Sequence, residues 1–109
     1  MDEARGASLH VAESVDAGGV IVLALSGELD LSTVGPLNAA VRDAIERKPE
    51  ALIFDLAGLK FMDSSGIAAL LAAVGAVSSV QVRNPSGIVQ RVIELSGLAQ
   101  TLGLASAAD

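Results

Sequence analysis

"ALIFDLAGLKFMDSSGIAALLAAVGAV", residues 51 to 77, contains the change of character that decides the fold. "ALIFDL" has apolar side chains at successive positions, as a strand covered on both faces requires. "AGLKFM" then leads into the polar quartet Asp63, Ser64, Ser65 and Gly66, and from there an uncharged, helix-like segment runs on to Val77. A strand that feeds a helix through a polar junction is the opening half of a strand-helix-strand unit. Asp63 or Ser64 stands where a side chain accepts from the free amides of the first helical turn, which explains one polar residue there. A cap needs one side chain only. The second hydroxyl, Ser65, is left beside the positive end of the helix dipole.

Outward from this junction, turn signals fall at short intervals, and neither an internal repeat nor a low-complexity block is present. "SLHVAESV" alternates as a strand does, "DAGG" is a turn, and "VIVLALS" is a continuous apolar strand suited to a sheet centre, so the three predict a hairpin. After "GELDLSTVGP", Leu37, Val41 and Ile45 recur every four residues in "LNAAVRDAIERK", with Arg42, Asp43, Glu46 and Arg47 on the other side. Ser32 or Thr33 caps this helix, Pro36 is tolerated in its first turn, and Pro49 ends it. Beyond the quoted stretch, "SVQVR" reads as a strand and "NPSGIVQRVIELSG" as a helix with Asn84 as cap, Pro85 at its first position and Gly97 as its stop. "LAQTLGL" is a short final element. The order β-β-α-β-α-β-α predicts an α/β domain, a mixed β-sheet with parallel crossovers and packed helices.

At 109 residues the chain has the length of one domain. Phe54 and Phe61 are its only aromatic residues, so Val, Ile, Leu and Ala must build the core. The absence of cysteine excludes a disulfide framework, a thiolate zinc site and thiol catalysis. The beginning, MDEARGASLH, has no apolar core of a secretion signal, and the longest uncharged apolar run, residues 64 to 80, is too short and too rich in Ser and Gly to span a bilayer. A cytoplasmic protein without a membrane association is expected. A net charge of −6 with only seven scattered cations offers no basic stripe for a nucleic acid, and no phosphate-binding G-x-x-x-x-G-K-[ST] string occurs.

Catalysis is not expected either. The single histidine, His10, lies in the first strand, no G-x-S-x-G elbow is present, and neither Lys48 nor Lys60 has any sign of serving as a base. Asp30 and Asp63 are too little to define a carboxylate pair for hydrolysis or metal chemistry. No metal and no cofactor is implied.

"GELDLSTVGPL", "LIFDLAGLKFMDSSGIAALL" and "VRNPSGIVQRVIELSGL" resemble, in order, the three signature stretches of STAS domains, and in particular of anti-sigma factor antagonists. The resemblance covers residues 9 to 104, which leaves residues 1 to 8 as an N-terminal extension and 105 to 109 as a C-terminal tail. It implies a partner switch in stress-responsive transcription. The unphosphorylated domain binds an anti-sigma factor with serine kinase activity and so frees a sigma factor; phosphorylation of a D-S-S-G serine ends the binding, and a phosphatase restores it. By position the acceptor is Ser65, with Ser64 as the alternative. Asp30, Asp63, Ser64 and Gly66 fall where the family contacts its partner, Gly66 leaving room for the kinase to approach. On its own, Asp30 reads equally as the start of the turn into the first helix.

The chain departs from the family in its second helix, which is about one turn, or 3.6 residues, short and has no charge on its outer face. A helix apolar all round leaves part of itself uncovered in a two-layer domain. Ala69, Ala72 and Ala73 are therefore expected in a protein contact, with the kinase or with a second copy in a weak homodimer, a monomer being the other expectation. The competing function is a non-phosphorylated STAS docking subunit of a transporter or lipid-transport complex. A stress-signalling scaffold would call for a further N-terminal domain.

Overall fold

The computed structural model describes residues 8 to 103; the extension through residue 7 and the tail from residue 104 lie outside the described residues. Strand β1 (Leu9–Val15) pairs antiparallel with β2 (Val20–Leu29), and β3 (Ala51–Met62) and β4 (Val80–Arg83) follow in parallel, giving a sheet of order β1-β2-β3-β4. Helices α1 (Val34–Glu46), α2 (Ser64–Val74) and α3 (Gly87–Leu95) complete the expected order. α1 packs on α2 and against β1 and β2, while α2 and α3 pack against β3.

The hairpin turn closes as its sequence requires. Asp16 accepts through Oδ1 from the amides of Gly18 and Val20, and Gly19 takes a φ of 82°, a conformation that costs glycine little. On the sheet, Ile21, Leu23 and Leu25 of β2 share a face with Leu52, Phe54 and Leu56 of β3 and with Val82 of β4. All of these belong to one core cluster, which the helices fill with Leu37, Val41, Leu70, Ala73, Val89 and Ile93. β3 is buried on both faces over residues 52 to 54, yet Ile53, on the opposite face, stands outside that cluster.

The strand that decides the fold is longer than its apolar run. "AGLKFM" does not lead out of β3 but belongs to it, through to Met62. Its register against β2 slips twice, from Ala24↔Asp55 to Ser26↔Gly58 and from Gly27↔Leu59 to Glu28↔Phe61, with one extra β3 residue at each slip. Without a bulge, Leu59 and Met62 would face opposite sides; the extra residue between them turns both inward, where each is 1% exposed. Such a stretch lacks the period of two by which strands are read, and so escapes sequence analysis.

Three local readings are corrected. Thr33 occupies the N-cap position of α1, but neither it nor Ser32 caps the helix: Thr33 has αR dihedrals and its side chain makes no cap bond. Pro36, at the third helical position, has no N–H to offer a cap. The buried positions of α1 are Leu37, Val41 and Ala44, with Ile45 only half-buried, since a helix has 3.6 residues per turn and not four. Finally, α3 is capped by Ser86, whose Oγ accepts from the amide of Val89, and not by Asn84. Asn84 takes a φ of 57°, a left-handed conformation that asparagine tolerates, and its amide donates to Asp55, so Pro85 precedes the helix.

The two helix stops differ in kind. α1 ends at Glu46; Lys48, the residue before Pro49, is disfavoured in the right-handed helical region and adopts a left-handed φ of 51°. α3 ends as expected at Gly97, with a φ of 77°, its amide bonded to Glu94 O. Of the short final element, residues 98 to 103 are described and form turns, with the Leu102 amide on Leu98 O and the Leu102 side chain wholly buried.

Gly27 tests the bulged pairing. Its φ is 102°, and a β-carbon there would overlap the Ser8 carbonyl, whose oxygen accepts from the Glu28 amide. We expect Gly27→Ala to destabilise the domain by about 1–3 kcal/mol, measured by urea denaturation with an unchanged slope.

Candidate functional site

β2 and β3 end together, with Leu29 paired to Met62 as the last step of their parallel ladder. The Asp63 amide extends this pairing by donating to Leu29 O at 3.1 Å. Asp30 and Asp63 therefore leave the sheet from neighbouring strand ends, Asp30 into the turn toward α1 and Asp63 into α2. The site lies at the carboxyl edge of the two longest strands, where the loops of parallel sheets gather functional groups.

At the head of α2 the cap belongs to Asp63. Its backbone is extended and its Oδ1 accepts from the Ser65 amide at 2.8 Å. This frees both hydroxyls from capping, and neither takes part in a hydrogen bond among the described residues. Ser64 is exposed, whereas Ser65 and Asp63 are half-buried. The uncharged first turn of α2 leaves the helix dipole unopposed except by Asp63 itself.

The Asp30 loop is held by hydroxyls. Thr33 Oγ1 accepts from the Asp30 amide and donates to Glu28 O, both at 2.9 Å, so the 8%-exposed Thr33 side chain is satisfied without acting as a cap. Asp30 Oδ1 accepts from the amide of Ser32 at 2.8 Å and from its hydroxyl at 2.7 Å. Asp30 does start the turn, its carbonyl accepting from the Thr33 amide. The hydroxyl of Ser32 holds the Asp30 carboxyl below its ordinary value, with the backbone amides adding to the effect.

Three residues have a different part from the one expected. Gly66 is buried, and a β-carbon on it would lie 2.5 Å from Met62 Cγ and 2.8 Å from Leu29 Cδ2. The missing side chain makes room inside the domain, not for a kinase outside it. Ala69 and Ala73, 3% and 0% exposed, face the core, so of the three alanines expected at a protein contact only Ala72 is exposed. Geometry gives the reason. α1 packs closely on α2, and the small side chains of α2 allow that approach.

Sequence reading passed over two apolar residues beside the site. Leu31, at the tip of the Asp30 turn, is 78% exposed, and Phe61, opposite Glu28 on β3, is 43% exposed. Leu31 stands between Asp30 and Ser32 where a turn favours polar residues, and that mismatch was the available signal. Phe61 gave none, since its outward aim depends on the bulge.

Two variants probe this geometry. Asp63→Ala is expected to cost about 0.5–2 kcal/mol in thermal or urea unfolding, as loss of an N-cap does; an unchanged midpoint would assign no role to the cap. Ser32→Ala should raise the Asp30 carboxyl pKa toward the ordinary aspartate value, followed by NMR titration of its side-chain carbon. The sign follows from the hydrogen bond: it favours the ionised form, so its contribution is present above the ordinary value and is lost as pH falls through the depressed one.

The family model described as "Mlab, STAS domain" matches residues 11–105. The anti-sigma-F factor antagonist RsfB of Mycobacterium tuberculosis is 34% identical over 94 residues, 84% of this chain and 77% of the relative. Among solved structures, an anti-sigma factor antagonist from Mycobacterium paratuberculosis superposes with a TM-score of 0.83 at 28% identity, covering 91% of this chain and 86% of that one. The anti-sigma factor antagonist SpoIIAA in its unphosphorylated form gives 0.73 at 26% identity, covering 91% and 90%. A phosphorylated form of the Bacillus cell fate determinant SpoIIAA gives 0.65 at 25%, covering 91% and 94%. A sheet with parallel crossovers, a D-S-S-G helix start beside Asp30, and this agreement in sequence and backbone lead to one conclusion: the chain belongs to the STAS domain family, among its anti-sigma factor antagonists.

Proposed function

We propose that the chain binds an anti-sigma factor with serine kinase activity through the surface around Asp30 and the head of α2, and that phosphorylation of Ser65 releases it. The observation that carries this reading is the division of labour at residues 63 to 65. Asp63 alone caps α2, so a phosphate on Ser65 costs the helix no hydrogen bond. A phosphoserine adds roughly −1.5 to −2 charges beside the helix terminus and the Asp63 carboxylate. The fold tolerates it because helix amides favour an anion, while a docking surface that fits a neutral hydroxyl does not.

Asp30, Asp63, Ser64 and Ser65 are the polar contacts in this reading. Leu31 and Phe61 are its apolar anchors, since exposed apolar side chains ringed by polar groups are typical of interface centres. The chemistry belongs to the kinase: Ser65 Oγ attacks the γ-phosphorus of ATP, ADP leaves, and the hydroxyl proton passes to the kinase's base. A phosphatase reverses the modification. The chain itself acts by stoichiometric binding without catalysing a reaction, in the cytoplasm where its partners are found. The second reading, a docking subunit of a transporter or lipid-transport complex, draws on the uncharged outer side of α2, where Ala68 and Ala72 are exposed.

The test is calorimetric titration of the source organism's anti-sigma factor with wild type, Ser65→Ala and Ser65→Glu. Wild type and Ser65→Ala should bind alike, and Ser65→Glu at least ten-fold more weakly, about 1.4 kcal/mol. Incubation with that factor and ATP should place one phosphate on Ser65, located by peptide mass spectrometry. Equal affinity of all three forms removes the switch; recovery of the same transporter subunits by wild-type and Ser65→Glu baits replaces it with the docking reading.

A further inference from the structure

The sheet has two outer strands, β1 and β4, and only one of them is guarded. β4 has four residues, ends in Arg83, and has the turn through Gly103 against it, where a β-carbon on Gly103 would lie 2.5 Å from Val80 O. β1 has seven residues without proline, glycine, lysine or arginine, and its register with β2 runs from Leu9↔Gly27 to Val15↔Ile21 without a bulge. Its one carboxylate, Glu13, is held through both oxygens by Arg47. Short length, free charge, proline and bulges are the devices that keep strand edges from pairing. β1 shows none of them.

The ladder tells which backbone groups of β1 are free. Beyond both ends of the strand it continues in the same register, the Glu28 amide donating to Ser8 O at 2.9 Å and the Asp16 amide to Val20 O at 3.0 Å. Bonded and non-bonded positions alternate along an antiparallel pair, so the even residues of β1 are the ones bonded to β2. Leu9, Val11, Glu13 and Val15 therefore aim their N–H and C=O groups at the open edge, and none of these groups bonds a described residue outside the strand.

We propose that this edge pairs with β1 of a second copy, antiparallel about a twofold axis at Ala12, to give one continuous sheet. That register uses every free group: Leu9 meets Val15 of the second copy and Val11 meets its Glu13, two hydrogen bonds joining each of these pairs and their symmetry mates. Slipping the copies by two residues leaves Leu9 or Val15 beyond the partner strand, and in one direction sets Glu13 against Glu13, like charges directly opposite. Side chains suit the same register. Val15, 55% exposed, gains Leu9 beside it, Glu13 lies opposite an apolar residue, His10 faces Ser14, and the exposed Ala12 faces its own copy with nothing to clash. A foreign strand could meet the backbone groups. The agreement of backbone, charge and apolar contacts in one symmetric register is what argues for a second copy.

One strand from each copy buries far less than the ~800 Å² per partner of a standard interface, so the dimer is weak and dissociates on dilution. The proposal goes beyond the phosphorylation reading and does not rest on it, since no step of the switch uses the open edge of β1.

The chain has no cysteine, so one introduced at the axis reports the pairing directly. Facing residues at a non-bonded position have α-carbons about 4.5 Å apart, within the roughly 4.4–6.8 Å that a disulfide spans. Ala12→Cys should therefore oxidise to a covalent dimer, and Ala57→Cys, exposed on β3, should not. In wild type, amide hydrogen exchange followed by NMR between about 10 µM and about 1 mM, a range suited to weak association, should slow with concentration at Leu9, Val11, Glu13 and Val15. His10, Ala12 and Ser14, bonded to β2, should be protected throughout. Val15→Pro removes an outward N–H that the fold does not use and should raise the dissociation constant at least ten-fold, with the protection of the even residues unchanged. Ala12→Cys that dimerises no faster than Ala57→Cys overturns the proposal. So does exchange at the odd residues that is independent of concentration, or a dimer that Val15→Pro leaves intact; protection of those amides only when the anti-sigma factor is added gives the edge to that partner instead.

Discussion

The backbone of Gly66 rests on the side chains of Leu29 and Met62, and the position of the site follows from that contact. Leu29 and Met62 are the last paired residues of β2 and β3, both essentially without exposure, so they fix the height of the α2 head above the sheet. A side chain at residue 66 would push the first turn of α2 away from both. Asp63, Ser64 and Ser65 would move with it. The glycine in a motif associated with phosphorylation is thus explained by packing beneath the helix, and the hydroxyls above inherit their position from the core.

The bulges in β3 serve the same contact. By turning Leu59 and Met62 inward from positions of opposite parity, they let a strand of 12 residues bury its far end although its sequence there contains Ala, Gly and Lys. Bulges recur beside functional sites because they re-aim side chains without ending the strand. Here the last bulge aims Met62 at Gly66 and, in consequence, aims Phe61 away from the core. One irregularity thereby sets both the seat of the helix and an apolar residue on the surface next to it.

Much of this arrangement was legible in the sequence, where a local rule and the tertiary fold agree. The hairpin turn, the alternation of strands and helices, the polar start of α2 and the glycine stop of α3 each follow from spacing or from a residue with one conformational specialty. What stayed hidden depended on contacts between distant residues. The extension of β3 needed register, which no single strand encodes. The inward aim of Ala69 and Ala73 was hidden because an uncharged helix gives no polar side from which to orient it. Gly66 was read as room for a partner because the nearness of Leu29, 37 positions earlier, is invisible in a motif of four residues. Thr33 was taken for a cap since its type and place were right, but the proline at the position it would have served disqualifies it.

The same physics explains why a charge on Ser65 would act on a partner more than on the fold. Ser65 is half-buried, so a phosphate there keeps access to water and avoids the several kcal/mol that a buried ion costs. Opposing terms act on it at short range: the amides of the α2 head attract it and the Asp63 carboxylate repels it. Each decays over a Debye length of about 8 Å at physiological ionic strength, which confines the effect on the domain to one turn. At an interface both groups lose water, the dielectric falls, and the same charge is felt far more strongly. In the function proposed here, a modification nearly neutral for stability would then be decisive for association, because the domain leaves the serine in water and a docked partner would not.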